Sequence, residues 1–230
     1  MQLCGCYSKA YEVYCNYIGA NFYQEVVWDV NCIYGQNGLR QFSLNDFDYV
    51  NAKDHLSLIS ALRHNSWFES IHSEGIKLSN EVQEELCKVI SLPTCVLQNL
   101  SIIQANLKYD FLQKLINAFQ FIKSNKHLPL TNSFNNTNIY NILSTCFKKI
   151  NLSRNPIEDK GLFLLANLFK EFPQLCNLTS LSFSKCSISS KGVNNFFSTI
   201  AVDSTLTSLD LSHNYLRDEP TVCFDIILNL

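Results

Sequence analysis

Cysteines, histidines and paired acidic residues are the side chains of this sequence whose chemistry could build a catalytic, metal or disulfide site. The ten cysteines form no CxxC pair, and the five histidines form no pair spaced for zinc. A small secreted domain held by disulfides would pack its cysteines more densely. The pattern predicts buried free thiols in a reducing cytosol, without metal ligands. The cysteines occupy positions 4, 6, 15, 32, 87, 95, 146, 176, 186 and 223.

Motifs for nucleophilic or phosphate chemistry are also missing from the sequence. It contains no GxSxG elbow, no Walker glycine loop and no HExxH helix. The acidic pairs Glu84–Glu85 and Asp218–Glu219 are adjacent in sequence, so on a helix their carboxylates splay apart instead of converging. We therefore expect no catalytic residue, no cofactor and no enzymatic activity.

Composition narrows the class of protein further. The 230 residues are 47% hydrophobic, which is enough to bury a core and argues against disorder. The 18 basic and 20 acidic residues give a net charge of -2, so a nucleic-acid partner is not expected. The longest apolar run covers only residues 162–166, which is too short for a membrane span. Leucine and asparagine are both in excess, with 31 and 25 residues.

Apolar residues recur in this sequence at a regular spacing. The strands and helices that this repeat predicts must position the polar side chains. The template L-x-x-L-x-L-x-x-N/C-x-L fits six times, starting near residues 39, 68, 97, 147, 178 and 206. The steps between these starts are 29, 29, 50, 31 and 28 residues, and helical periodicity follows the strand segments. This pattern predicts an α/β leucine-rich-repeat solenoid of the long, ribonuclease-inhibitor-like class. We expect parallel strands on its concave face and helices on its convex face.

Two kinds of position in the template have a specific structural purpose. The Asn or Cys of the ninth position lies where the chain turns, and its side chain is expected to bond orphaned backbone groups of neighbouring coils. Asn155 and Asn214 fill this position, whereas Ala105 cannot. Gly161 and Gly192 stand at helix starts, where a missing side chain permits close packing.

The chain divides into an N-terminal cap at 1–38 and a repeat domain at 39–230, with an inserted loop at about 123–145. Residues 22–34 are rich in β-forming and aromatic types, a composition typical of strands. A helix before them places one apolar face toward the first coil, comprising Ala10, Val13, Tyr14, Tyr17 and Ile18. A membrane-surface helix is the alternative, but Lys9 is its one positive charge.

The concave face is where a partner protein could bind. Template positions three, five and seven point away from the core, because side chains alternate along a strand. Most of these residues are small and polar, and none is aromatic, so no centre for tight binding is evident. The candidates for a protein-binding surface are His72, Glu74, Asn99, Ser101, Lys149, Asn151, Ser182 and Asp210.

Several segments resemble, in order, the start of the leucine-rich-repeat domain of CARMIL proteins, which link capping protein, the branched-actin nucleator and myosin-I. The resemblance covers roughly residues 4–230 except the insert. It is carried by EVVWDVNCIY at 25–34, FSLNDFDYVNAKDHLSLISALRHNSWF at 42–68, IKLSNEVQEELCKVIS at 76–91, INLSRNPIEDKGLFLLANLFKEFPQ at 150–174, SISSKGVNNFFS at 187–198 and SLDLSHNYLRDE at 208–219.

This resemblance implies a cytoplasmic scaffold that regulates actin-filament assembly and barbed-end capping at the leading edge, beneath the plasma membrane. It implies partners from the actin-assembly machinery, a homodimer of the full-length protein, and membrane contact only through a domain absent from this chain. CARMIL proteins carry their capping-protein motif in a tail, so we expect this chain to be a fragment. A Ran-type GTPase-activating protein, or another protein-binding horseshoe of the same repeat class, is the alternative.

Overall fold

The computed structural model describes residues 7–92, 94–124, 147–171, 178–199 and 206–216. Six parallel strands form one sheet in chain order, β1 to β6. The third template positions are paired across every neighbouring strand, from Gln41↔Ser70 to Ser180↔Ser208. β3 pairs directly with β4 despite the 50-residue step. The strands are Gln41–Ser43, Ser70–Glu74, Asn99–Ile103, Lys149–Asn151, Ser180–Ser182 and Ser208–Asp210.

Helices form the second layer, and the core lies between them and the sheet. α3 to α7 pack neighbour against neighbour, following the order of the strands. Their apolar periodicity faces the sheet: Val82, Leu86 and Ile90 of α4 are all buried. The predicted leucine-rich-repeat solenoid is confirmed. The helices are α1 Tyr7–Ile18, α2 Gln24–Trp28, α3 His55–Ala61, α4 Asn80–Ser91, α5 Tyr109–Ser124, α6 Glu158–Glu171 and α7 Ser190–Thr199.

The face that the N-terminal helix buries overlaps only in part with the predicted one: Ala10 is buried and Tyr14 packs against the core as expected, but Val13 and Tyr17 do not. Tyr7, Ala10, Tyr11 and Cys15 are buried, whereas Val13 and Tyr17 are 62% and 84% exposed. Both faces of α1 are apolar in sequence, so periodicity alone cannot choose between them. The choice is made by tertiary contacts such as the hydrogen bond from Tyr7 Oη to the Leu58 carbonyl, 3.0 Å long.

Residues 24–34 of the segment 22–34 are helical and not extended, contrary to the strand-like composition. α2 continues into a π-helical segment, Asp29–Tyr34. Val26, Val30 and Tyr34 are buried at intervals of four residues, which is the spacing of one helix face. Tertiary burial therefore overrides β propensity here.

Tyr34 covers the free edge of β1. Its hydroxyl accepts a hydrogen bond from the Ser43 N–H at 3.2 Å and donates to the Asp46 carboxylate. Ser43 is buried as a result, although its template position predicts exposure on the concave face. An uncovered edge would present unpaired N–H groups to other chains.

The boundary of the cap at residue 38 remains a prediction. Residues 123 and 124 of the predicted insert belong to α5, and 125–145 lie outside the described residues.

The ninth-position asparagines form the predicted ladder between coils. Asn155 Oδ1 accepts from the N–H groups of Ala105 and Leu107 at 2.9 and 3.0 Å. Its amide group donates to the Ile102 carbonyl at 2.7 Å and to the Leu152 carbonyl at 2.9 Å. Asn155 thus serves the preceding repeat, whose own Ala105 has no polar side chain. Asn214 repeats the pattern one repeat beyond Cys186.

The two predicted close-packing glycines are confirmed. A Cβ on Gly161 would meet the side chain of Ile157 and lie 3.0 Å from Leu112 Cδ1. A Cβ on Gly192 would meet the Asp159 carboxylate, lying 2.6 Å from its Cγ. That carboxylate accepts from the N–H and hydroxyl of Ser189 at 2.7 and 2.6 Å, at the start of α7. Gly192 therefore leaves room for the group that links α6 to α7.

Replacing Gly192 with alanine is expected to destabilise the protein by about 1–3 kcal/mol, because the added methyl group must displace Asp159 from Ser189. The sign of the change in unfolding free energy tests this reason, since Gly→Ala inside a helix ordinarily stabilises by up to about 1 kcal/mol. Urea unfolding followed by circular dichroism measures the change. Lys191→Ala, an exposed neighbour in α7, is the matched control. A stabilised Gly192→Ala variant would show that Asp159 does not need this space.

Candidate protein-binding surface

The eight predicted candidates lie on one face of the sheet, along β2 to β6. Their neighbours in the strands, such as Ile71, Leu100 and Leu181, are buried in the core. The candidates themselves are partly or fully exposed, as the two-residue period of a strand requires. The strands therefore present a mostly polar surface, interrupted by Ile103, in which each residue stands beside the equivalent residue of the next repeat.

On β2 and β3, the candidates are hydrogen-bonded across the strands. His72 Nδ1 lies 3.2 Å from Ser101 Oγ. Asn99 Nδ2 donates to Ser70 Oγ at 2.9 Å. These cross-strand pairs hold the side chains in fixed positions, which lowers the entropy that a partner would have to remove on binding.

On β4 to β6, a chain of hydroxyl groups ends at a carboxylate. Ser182 Oγ lies 2.8 Å from Ser153 Oγ and donates to Asp210 Oδ2 at 3.0 Å. Because Ser182 has one hydroxyl proton, Ser153 is the donor of the first bond. Partial burial opposes ionisation of Asp210, but hydrogen bonds from Ser212 and Ser182 outweigh it and hold the pKa of Asp210 below its ordinary value. Asp210 is thus a fixed negative charge on this surface.

Glu74 is held at both its backbone and its side chain. Asn45 Nδ2 donates to the Glu74 carbonyl at 2.7 Å, and Asn45 Oδ1 accepts from the Glu74 N–H at 2.8 Å. The Glu74 carboxylate lies 3.4 Å from Arg154 Nη1, two repeats away. Lys149 is exposed at the start of β4, and Asn151 Oδ1 accepts from the Ser153 N–H at 3.0 Å. The candidates therefore form separate small networks instead of one convergent site.

Sequence reasoning missed the residues of the eighth template position, which follow the strands. Gly75, Gln104, Arg154, Lys185 and His213 all adopt a left-handed backbone, with φ between 52° and 74°. They lie at the carboxyl ends of the strands, beside the concave face. The sequence does contain a signal for them, because the last three repeats all place a basic residue at this position.

The described cysteine, histidine and acidic side chains show where metal binding or thiol chemistry could occur. They include no cluster of three or more histidine, cysteine, aspartate or glutamate side chains that could hold a metal ion. Burial raises the pKa of the Cys87 thiol to about 12 and that of Cys186 to about 11, so both remain protonated and weakly nucleophilic at neutral pH. Each described helix is too short or too polar to cross a membrane.

Comparison with known proteins finds sequence relatives of this chain. A model described as "Leucine Rich repeat" matches residues 143–166, 174–196 and 202–219. The human "Capping protein, Arp2/3 and myosin-I linker protein 3" is 33% identical over 216 residues, which cover 92% of this chain and 14% of that protein. "Protein CARMIL" of Dictyostelium discoideum is 26% identical over 69% of this chain and 13% of its own length.

A third relative carries a different name. The "Rho GTPase-activating protein gacW" of Dictyostelium discoideum is 27% identical over 96% of this chain and 18% of its own length. This chain therefore spans less than a fifth of each of these three relatives. The matches to two CARMIL proteins and the leucine-rich-repeat fold lead to the same conclusion: over the segment that it covers, the chain is a leucine-rich-repeat relative of the CARMIL proteins.

Proposed function

We propose that this chain is a non-enzymatic scaffold segment of a CARMIL-like regulator of actin-filament assembly. The observation that carries the proposal is the 33% identity, over 92% of the chain, with a protein named for capping protein, Arp2/3 and myosin-I. The long polar concave surface supports it, because a solenoid of this shape offers a partner many shallow contacts instead of a reaction pocket.

The finer parts of the proposal concern partners and place in the cell. Proteins of the actin-assembly machinery are the proposed partners, and the leading edge beneath the plasma membrane is the proposed location. Regulation of barbed-end capping and formation of a homodimer belong to the full-length protein in this proposal. We place the partner contact of this segment on the concave candidates, with Lys149 and Asp210 among its charged members.

A second candidate function is supported by the gacW relative, which matches 96% of this chain. In this alternative, the repeats are the protein-binding module of a GTPase-activating protein. The described residues then serve to hold a GTPase or another domain in place, and catalysis belongs to a different segment. A Ran-type GTPase-activating protein is the other form of this alternative function.

The test is direct binding of the purified chain to capping protein, the Arp2/3 complex, myosin-I and a Rho-family GTPase, measured by biolayer interferometry. We expect at least one of the first three to bind. The double variant Lys149→Glu/Asp210→Lys should weaken that binding at least tenfold, since two charges of the concave face change sign. Lys191→Glu, on the convex helix α7, should leave it within twofold.

Two results would contradict the proposal, and they can be told apart. Binding to the GTPase alone would favour the alternative function. Binding to an actin-machinery protein that the concave double variant leaves unchanged would place the contact on another surface. Circular dichroism and the melting temperature show whether each variant keeps its fold.

A further inference from the structure

We propose that the turns following β3 to β6 form a binding groove for an acidic peptide segment of a partner protein. We call it the turn groove, and it extends the proposed function by naming the chemistry of a partner. Its volume is about 570 Å³. It is lined by Gln104, Arg154, Ser184, Lys185, Ser212 and His213.

The repeat brings these residues together. Gln104, Arg154, Lys185 and His213 are the eighth template residues of four successive repeats, and Ser184 and Ser212 are seventh residues. Adjacent strands of a sheet lie about 4.8 Å apart, so the eighth residues form a row with roughly that spacing. The left-handed backbone is common to this row, with φ of 52° at Gln104 and 54° at Lys185. The row is therefore a regular feature of the solenoid.

The groove is suited to carboxylates. Arg154 and Lys185 carry permanent positive charges, and none of its described lining residues is acidic. The hydroxyls of Ser184 and Ser212 lie 2.8 Å apart, and one of them keeps its proton available for an acceptor outside the pair. The whole chain has a net charge of -2, so this positive groove is a local feature and not part of a generally basic surface.

Glu74 already acts as an internal ligand of the groove. Its carboxylate lies 3.4 Å from Arg154 Nη1, and both side chains are about half exposed. An exposed ion pair of this kind contributes little to stability, so a competing carboxylate can replace it at small cost. The pair shows the contact that a partner's acidic side chain would make with Arg154, and it also predicts that Glu74 competes with that partner.

A peptide fits the groove better than nucleic acid or a membrane does. Phosphate-backbone and lipid-surface binding need larger clusters of lysine and arginine than the two permanent cations here. In an extended peptide, alternate residues are about 6.6–6.8 Å apart on one side. Two acidic residues of such a segment can therefore reach Arg154 and Lys185, which stand one strand apart, while the serines contact its polar groups.

The experiment measures the anisotropy of a fluorescein-labelled octaglutamate peptide titrated with the full chain at 50 mM salt. We expect saturable binding that weakens at least tenfold in Arg154→Gln/Lys185→Gln. Glutamine is already tolerated at this position with a left-handed backbone, as Gln104 shows. Lys191→Gln removes one positive charge from α7, half the change of the double variant, and should stay within twofold. Glu74→Gln should tighten binding severalfold, because it removes the internal competitor of Arg154.

Three results would overturn the proposal. One is an unchanged affinity in the double glutamine variant. A second is a Glu74→Gln variant that does not bind more tightly. The third is equal binding of octaglutamate, single-stranded DNA and phosphatidylserine vesicles, which would mean general attraction of anions. The probe contains no protein of the actin machinery, so failure here leaves the proposed function standing, and failure of that proposal leaves this result unaffected.

Discussion

Replacing Asn155 with alanine is expected to destabilise the protein by about 3–5 kcal/mol, because each buried polar group left without a partner costs about 1–3 kcal/mol. The alanine would strand the Ala105 and Leu107 N–H groups and the Ile102 carbonyl, all of which bond to the Asn155 side chain. Asn155 is only 1% exposed, so water cannot replace it. The melting temperature should fall by roughly 10 °C.

Asn214→Ala is the matched control, since Asn214 makes the same kinds of bonds to Cys186, Ile188 and Phe183. It is half-buried, so water can bond some of the backbone groups that the substitution leaves unpaired. We expect its cost to be about half that of Asn155→Ala. The stability of Asn155→Cys should lie between those of the wild type and Asn155→Ala, because Cys186 in the next repeat donates weakly to the Leu152 carbonyl. If Asn155→Ala and Asn214→Ala lose equal unfolding free energy, burial does not determine how much the ladder asparagines stabilise the protein.

The repeat template contains most of the information about the strands. The pairing of Asn99 with Lys149 follows from their shared third position, even though 50 residues separate them in sequence. The exposure of His72 beside the buried Ile71 follows from the same template, because side chains alternate along a strand. The ladder role of Asn155 could also be predicted, because it fills the ninth template position, where an Asn or Cys side chain can bond backbone groups of neighbouring coils. That the concave residues bind a partner is still a prediction.

The remaining features depend on contacts that local sequence does not specify. Nothing in α1 distinguishes the face with Tyr11 from the face with Tyr17, since both are apolar and only packing on the first coil decides. The first template also fits poorly at its ends: Leu39 and Tyr49 are exposed, and Val50 is buried instead. The Glu74–Arg154 pair joins residues 80 positions apart, so it can be found only once the solenoid is assembled.

Replacing Phe42 with alanine is expected to cost about 3–5 kcal/mol, because it removes a fully buried ring and leaves a cavity. The ring centroid of Phe42 lies 5.2 Å from those of Phe47 and Phe68 and 5.3 Å from that of Tyr7. Tyr7 belongs to α1, whereas Phe42 and Phe68 belong to the first two repeats. The substitution should therefore loosen α1 as well as the repeats, which hydrogen exchange of the α1 amides can measure.

Tyr17→Ala is the control for this prediction, since Tyr17 lies on the same helix but is 84% exposed. Its effect on unfolding free energy should stay within about 0.5 kcal/mol. If Phe42→Ala speeds exchange in α1 and the first coils together, the helix and the repeats share one core, and the N-terminal segment stabilises the solenoid by closing its first hydrophobic face. Faster exchange in the repeats, with α1 still protected, would mean that the helix is held by contacts independent of this aromatic cluster.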